Sequence, residues 1–123
     1  MALILIVEDR PSLQQIYSIA INEAGHQSLV AKDGAEALKL ATEHNPDLIL
    51  LDLLMPAVTG TEFLKQYDLS KHPNTKVIVF SNMDSPITKH ELGDLGANLY
   101  LTKSDYTPSQ LMGVIEGVLH AKP

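Results

Sequence analysis

Residues 3–9 read Leu-Ile-Leu-Ile-Val-Glu-Asp, a run of five apolar side chains that ends at two carboxylates. Such an uninterrupted run is typical of a parallel strand that helices cover on both faces. Pro11 and Ser12 then open a segment with helical spacing that ends near Gly25, because proline suits a first helical turn and glycine a left-handed cap. The acidic pair therefore lies where a strand gives way to a helix.

The same alternation of strand and helix continues along the chain. Apolar runs predict four further strands, and segments with helical spacing or helix-start residues follow them. The strands cover 28–31, 47–51, 76–80 and 99–102, and the helices cover 35–45, 61–67, 87–95 and the residues from 108 onward. Five strand–helix pairs predict an α/β fold, a doubly wound five-stranded parallel sheet with five helices. The pattern alone leaves the strand order open.

Length and composition limit the kind of protein this is. The 123 residues predict a single domain, residues 1–123, and the absence of cysteine excludes disulfides and thiolate metal sites. No apolar run approaches the roughly 20 residues that a membrane-spanning helix needs. The formal net charge of −6 argues against direct binding of nucleic acid or anionic membrane. With no export signal at its apolar start, the protein is expected to be cytoplasmic.

Polar side chains follow four of the five predicted strands. Glu8 and Asp9 follow the first strand, Asp52 the third, Ser81 the fourth and Lys103 the fifth. The carboxyl ends of parallel strands lie at one edge of the sheet, and ligands of such sheets bind there. We therefore expect these five side chains to meet.

Three carboxylates at one edge would repel one another without a cation, and hard divalent ions prefer oxygen ligands. The pattern predicts a Mg²⁺ site that uses these carboxylates and the backbone carbonyl of Leu54. The Ser81 hydroxyl and the Lys103 ammonium would contact a bound phosphoryl group. Asp52 is then the candidate nucleophile.

Taken singly, each of these residues has an ordinary structural explanation. Glu8 and Asp9 could cap the helix that follows them, and Ser81 and Lys103 are common loop residues. Asp52 ends an apolar run, where an unpaired buried carboxylate is costly. The coincidence of acids, hydroxyl and base at four strand ends is what favours a functional site.

These segments resemble the receiver domain family of two-component response regulators over essentially the whole chain. Residues 4–9 resemble its first strand and acidic pair, and residues 52–60 resemble its phosphoacceptor loop, D-x-x-M-P-x-x-x-G. Phe80-Ser81 resembles its fourth-strand hydroxyl residue, and residues 100–103 resemble its fifth strand with a switch aromatic, here Tyr100, and a lysine. The resemblance implies the flavodoxin-like receiver fold with sheet order 2-1-3-4-5. The resemblance is to chemotaxis-type regulators, and it leaves two alternatives open: a stand-alone regulator, or a piece of a larger regulator or hybrid kinase.

The resemblance also implies a phosphorylation switch. A histidine kinase or phosphotransfer protein would donate a phosphoryl group to Asp52 with Mg²⁺ bound, and Ser81 and Lys103 would contact it. Tyr100 would rotate into the space that Ser81 vacates and change the face made by the fourth helix, fifth strand and fifth helix. An unknown output partner, or a second copy of the chain in a phosphorylation-dependent homodimer, would bind this face.

Two residues, Asn82 and Ser104, depart from the family pattern, and two apolar residues, Leu54 and Met83, occupy positions that bear on dephosphorylation. Asn82 stands where the family commonly has a very small residue, and it is expected to alter access to the phosphoryl group. Ser104 replaces a proline that is often cis, and a cis Lys103–Ser104 bond would cost roughly 3 kcal/mol. Leu54 and Met83 are apolar at positions that govern attack by water, and neither can orient a water molecule. We therefore predict slow autodephosphorylation.

Two alternatives remain. One is a receiver-like docking module that works without phosphorylation, for which Asn82 and Ser104 leave room. The other is a haloacid-dehalogenase-type phosphatase, whose second acid would stand where this chain has Leu54. We do not expect an enzyme beyond the domain's own phosphoryl transfer and dephosphorylation. The histidines are scattered, are expected to be solvated and are assigned to no site: His26, His44, His72, His90 and His120.

Overall fold

The structure, a computed structural model, describes residues 2–53, 60–81 and 93–120. In chain order its elements are β1 (Leu3–Val7), α1 (Pro11–Glu23), β2 (Gln27–Ala31), α2 (Gly34–His44), β3 (Leu48–Leu51), α3 (Gly60–Gln66), β4 (Lys76–Ser81), β5 (Leu99–Thr102) and α4 (Pro108–Leu119). Most of the helix predicted over 87–95 lies outside the described residues. The C-terminal helix α4 is therefore the fifth helix of the sequence prediction.

The five strands form one parallel sheet in the order β2-β1-β3-β4-β5. This confirms the doubly wound α/β class and the strand order that the resemblance implied. Val7, the last residue of β1, pairs with Ala31 of β2 and with Leu51 of β3. Ser81 at the end of β4 pairs with Thr102 of β5. The strand ends are thus level, and the residues that follow them share one edge.

Alternate strand residues build a separate core on each face of the sheet. In β1, Leu5 and Val7 belong to the core under α2 and α3, whereas Ile4 and Ile6 belong to the core under α1 and α4. All four side chains are essentially inaccessible to solvent. Because each fully buried Leu, Ile or Val side chain contributes about 1.5–3 kcal/mol, the central strands hold the site edge rigidly.

Helix ends fall where the sequence places breakers and caps. The Asp33 side chain accepts a hydrogen bond from the Glu36 amide at the start of α2, and Asn45 ends that helix at φ 48°. Thr107 and Gln110 form a reciprocal capping box at the start of α4. These local bonds satisfy backbone groups that a helix end leaves unpaired.

The expectation that all histidines are solvated is wrong for His26. Its side chain is only 10% exposed, its Nδ1 accepts a hydrogen bond from the Ala2 amide, and its Nε2 contacts the Glu116 carboxylate of α4. The His72 ring is half-buried and stacks on Tyr67 with ring centroids 4.1 Å apart. Burial by neighbouring elements is a tertiary effect, so the scattered spacing of the histidines could not predict it.

His44 and His120 are exposed as expected, and His90 lies outside the described residues. Two large apolar side chains of α1, Ile16 and Ile19, are 44% and 49% exposed. Within the described ranges, no helix has the length and apolarity to cross a bilayer.

Candidate functional site

Asp52 lies immediately after β3, at the level of Glu8. Its amide donates to the Val7 carbonyl at 3.1 Å, and the Glu8 amide donates to the Ala31 carbonyl at 3.0 Å. These backbone bonds continue the sheet pattern one residue past the strands. Both carboxylates are consequently fixed on the central part of the edge, and both residues are buried.

Lys103 and Ser81 contact different oxygens of Asp52. Lys103 Nζ lies 3.2 Å from Asp52 Oδ2 and 3.0 Å from Glu8 Oε2, so one ammonium joins both buried carboxylates. The Ser81 hydroxyl donates to Asp52 Oδ1 at 3.2 Å and is fully buried. The structure therefore brings together the acid, hydroxyl and base that the sequence predicted at these strand ends.

The low exposure of the site changes its acid–base properties. Burial raises the pKa of Glu8 to about 7, the nearby Asp52 carboxylate acts in the same direction, and Lys103 opposes both. Burial acts to lower the pKa of Lys103, but attraction by Asp52 and Glu8 outweighs it, and the pKa is raised. Lys103 is therefore charged at neutral pH. Glu8, with a pKa of about 7, is only partly ionised there.

The three predicted acidic ligands fit a hard divalent cation. Glu8, Asp9 and Asp52 each offer an oxygen, and these oxygens all lie within 4.8 Å of one another. In an octahedral Mg²⁺ site the ligand oxygens are about 3–4 Å apart, so small side-chain movements suffice. Glu8 Oε1 is buried and has no hydrogen-bond partner within the part of the chain that the structure describes. The predicted fourth ligand, the Leu54 carbonyl, lies outside the described residues.

Gly60 allows α3 to begin directly against the backbone of Asp52. A Cβ atom at Gly60 would stand 2.5 Å from the Asp52 carbonyl oxygen and 3.0 Å from the Cα of Leu53. Real Cβ atoms do not approach backbone atoms so closely. A side chain at this position would clash with that backbone, which explains why the phosphoacceptor-loop motif ends in glycine.

Tyr100, the predicted switch aromatic, is half-buried in β5 and packs against the core under α2 and α3. Val77 and Val79 of β4 face the same core. Because side chains alternate along a strand, Ser81 stands on that face too. Tyr100 and Ser81 therefore lie on one face of the sheet on neighbouring strands.

Ser104 is the departure from the family pattern that lies among the described residues. Asn82 and Met83 lie outside the described residues. Lys103 begins a 3₁₀ turn over Lys103–Asp105, and the Lys103–Ser104 bond is trans, as are all described peptide bonds. The serine thus leaves Lys103 in place for its contacts with Glu8 and Asp52.

Sequence reasoning missed one contact of the site. The Gln14 side-chain amide Nε2 donates to the backbone carbonyl of Glu8 at 2.6 Å. Gln14 is followed by an identical residue, Gln15, and no motif distinguishes the two. Only the direction in which α1 leaves the sheet shows which glutamine reaches the acidic pair.

A known protein family and several individual proteins resemble this chain over most of its length. Residues 4–116 match the response regulator receiver domain. Sensory transduction protein RegX3 of Mycolicibacterium smegmatis is 35% identical over 119 residues, covering 97% of this chain and 51% of RegX3. Protein PilH of Pseudomonas aeruginosa is 35% identical over 106 residues, covering 84% of this chain and 86% of PilH. The structure of chemotaxis protein CheY4 of Vibrio cholerae has a TM-score of 0.85 at 34% identity, covering 96% of this chain and 98% of that chain.

These matches agree in family but differ in length. The chain spans about half the length of RegX3 and of several other relatives, and most of PilH and CheY4. Receiver domains are signalling modules and not conventional enzymes. The family match covers most of the sequence, and the sheet order and the site geometry agree with it. The chain belongs to the receiver domain family of two-component response regulators.

Proposed function

We propose that this chain is a phosphoacceptor switch in which Asp52 receives a phosphoryl group from a phosphohistidine of a histidine kinase or phosphotransfer protein. The supporting observation is the pair of contacts on Asp52: Lys103 Nζ lies 3.2 Å from one carboxylate oxygen, and Ser81 Oγ lies 3.2 Å from the other. An ammonium and a hydroxyl beside the nucleophile are the groups that a transferred phosphoryl group needs.

The chemistry is a displacement at phosphorus. An oxygen of Asp52 forms a bond to phosphorus as the bond between phosphorus and the imidazole nitrogen breaks, and the released imidazole takes up a proton from solvent. Lys103 and Ser81 then move their contacts from the Asp52 carboxylate to the phosphoryl oxygens. Mg²⁺, when bound, neutralises charge between the acidic side chains and the phosphoryl group. Glu8, Asp9, Asp52 and the Leu54 carbonyl are the proposed ligands.

The output of the switch is proposed to follow from Ser81 and Tyr100. As Ser81 turns toward the phosphoryl group, Tyr100 on the same face of the sheet can rotate inward and change the surface of β5 and the helices beside it. That surface is where we place an output partner or a second copy of the chain. A reducing cytoplasm is the proposed location, consistent with a chain that lacks cysteine.

Slow autodephosphorylation is part of the proposal and rests on residue types alone. Leu54 and Met83 have no polar group that could orient a water molecule toward the phosphoryl group. Leu54→Asn and Met83→Glu should shorten the lifetime of the phosphorylated protein several-fold, measured as loss of the phosphorylated mass after the donor is removed. A lifetime of seconds in the wild type that neither substitution changes would contradict this part.

The decisive test uses a small donor. The whole chain is incubated with acetyl phosphate and Mg²⁺, and incorporation of one phosphoryl group is measured by intact mass for the wild type, Asp52→Ala and Asp52→Asn. Incorporation is expected only with Asp52. Amide NMR shifts in β5 and α4 should accompany it in the wild type and be absent in both variants.

Two outcomes would replace the proposal. If Asp52→Ala left binding to a partner unaltered, the protein would act without phosphorylation. That outcome would favour the docking module. Turnover of a generic phosphomonoester that Asp52→Asn abolishes would favour the phosphatase.

A further inference from the structure

The start of α1 is held in an unusual way. The N-cap residue Arg10 makes no side-chain capping bond, and Asp9 lies in a bend between β1 and α1. Gln14, one turn into the helix, reaches back so that its side-chain amide donates to the Glu8 carbonyl at 2.6 Å. The connection between strand and helix is thus tied by a side chain of the helix itself.

This bond fixes the peptide that carries Asp9. The Glu8 carbonyl and the Asp9 amide belong to one planar peptide unit, so a bond to the carbonyl limits rotation of the whole unit. On its other side, the Glu8 amide is bonded to the Ala31 carbonyl of β2 at 3.0 Å. The Glu8 amide is therefore bonded to β2 and the Glu8 carbonyl to α1. Asp9 follows directly after the peptide unit that is bonded to α1.

We infer that Gln14 is a positioning residue for the divalent-cation site, because its side-chain amide sets where the Asp9 carboxylate stands relative to Glu8 and Asp52. The inference rests on the proposed Mg²⁺ site. Loss of the bond between Gln14 and Glu8 should lower the affinities for Mg²⁺ and Ca²⁺ to different extents. Mg²⁺ requires near-ideal octahedral geometry, whereas Ca²⁺ accepts irregular and variable coordination. Loosening Asp9 should therefore weaken Mg²⁺ binding more than Ca²⁺ binding.

The chain offers a matched control in Gln15. It has the same side chain on the same turn of α1 and is exposed. Gln14→Met and Gln15→Met each keep an unbranched side chain of similar length and helix propensity while removing the amide donors. Only the first removes the bond to Glu8.

The experiment is a pair of cation titrations on the whole unphosphorylated chain, with MgCl₂ and with CaCl₂, followed by backbone amide NMR. For Gln14→Met we expect Mg²⁺ affinity to fall about tenfold, the lower range for lost supporting contacts around a metal. Ca²⁺ affinity should fall by a smaller factor, so the ratio of Mg²⁺ to Ca²⁺ affinity falls too. Gln15→Met should keep the wild-type affinities and ratio.

The possible failures are distinguishable. If the wild type binds no Mg²⁺, or binds it equally well after Asp52→Ala, the proposed function fails at its metal site. If the wild type binds through Asp52 but Gln14→Met keeps both affinities, or both methionine variants lose affinity equally, the role of Gln14 is overturned and the proposed function stands.

A measurement on the wild type covers the case in which Gln14→Met does not fold. The side-chain amide protons of Gln14 should exchange with solvent more slowly than those of Gln15. Equal exchange rates would overturn the inference.

Discussion

At the scale of single residues, the Lys103 ammonium is in direct contact with both buried acids, Glu8 and Asp52, at 3.0 and 3.2 Å. Removing one member of a buried ion pair leaves uncompensated charge and typically costs about 3–5 kcal/mol. Here the cost is reduced because Glu8, whose pKa is already about 7, can take up a proton. The charge of Lys103 therefore holds the site together before any phosphoryl group arrives.

Lys103→Met should destabilise the protein, because it removes the ammonium that contacts Glu8 and Asp52. In magnesium-free buffer at neutral pH, the free energy of unfolding should fall by about 2–4 kcal/mol, measured by urea denaturation. Lys39→Met is the control, because Lys39 is exposed on α2. Its effect should be within about 0.5 kcal/mol. Equal effects of the two substitutions would contradict the view that Lys103 compensates buried charge.

At the scale of elements, the contact between α3 and the end of β3 depends on a missing side chain. Gly60→Ala would place Cβ 2.5 Å from the Asp52 carbonyl, so α3 must shift, and we predict a loss of about 1–3 kcal/mol of unfolding free energy. Gly113→Ala in α4 meets nothing within 4 Å and should stabilise by about 0.5–1 kcal/mol, since alanine favours helix. The same substitution is thus expected to have opposite signs, and thermal unfolding of both variants checks it. Stabilisation by Gly60→Ala would contradict the close contact.

The contact between Glu116 of α4 and His26, which directly precedes β2, predicts that the stability of the protein depends on pH. A hydrogen bond with His26 lowers the pKa of Glu116 below its ordinary value of 4.5, and His120 Nε2, 3.2 Å away, acts in the same direction. A lowered pKa gives stability that is present above the ordinary value and is lost as pH falls through the folded value. Glu116→Gln should therefore make stability less sensitive to pH below about 4.5.

The size of this effect should be modest because Glu116 is 39% exposed, so we expect under about 1 kcal/mol. Urea denaturation of the wild type and Glu116→Gln across acidic pH measures it. Glu23→Gln, which changes an exposed acid at the end of α1, should keep the wild-type pH dependence. A wild-type profile in Glu116→Gln would show that the bond to His26 contributes no stability.

The sequence predicted most elements and most of the site for one physical reason. Parallel strands buried on both faces are continuous apolar runs, and the residues after them must share an edge, so Asp52, Ser81 and Lys103 could be placed together. The strand order came only from the family resemblance. Burial of His26 and the reach of Gln14 were not predicted, because they depend on how helices pack across the sheet. Helical spacing gives faces of a helix but does not say what lies against each face.

At the scale of the whole molecule, the two cores share the central strands, and those strands end at the acidic edge. When all groups are ionised, three carboxylates and one ammonium lie there, so Glu8, Asp9, Asp52 and Lys103 together carry a net charge of −2. Charge repulsion at this edge acts on strands whose side chains belong to both cores. The stability of the entire fold should therefore report on the charge state of the site.

The stabilities of the wild type and Asp52→Asn should change order between magnesium-free and Mg²⁺-saturated conditions. Asp52→Asn removes the repulsion of Asp52 by Glu8 and by Asp9, together with the cost of burying its charge. It also removes the attraction between Asp52 and Lys103. Without Mg²⁺ it should raise the free energy of unfolding by about 1 kcal/mol, the scale of close charge interactions in a partly polar environment. At Mg²⁺ concentrations about 100 times the dissociation constant, the wild type should gain about 2.7 kcal/mol, and the variant should gain less because it lacks a ligand charge. The order of stability reverses if the gain of the variant is below about 1.7 kcal/mol, the difference between the two values above.

Urea denaturation with EDTA and with saturating Mg²⁺ measures both effects. Glu43→Gln serves as the control, because it changes net charge equally at an exposed position of α2 and should keep the full Mg²⁺ gain. If Asp52→Asn gained as much from Mg²⁺ as the wild type, the cation would be binding away from Asp52. If it were less stable than the wild type in EDTA as well, attraction to Lys103 would outweigh the repulsion among the acids. The edge would then be a stabilising ion-pair cluster that needs no cation.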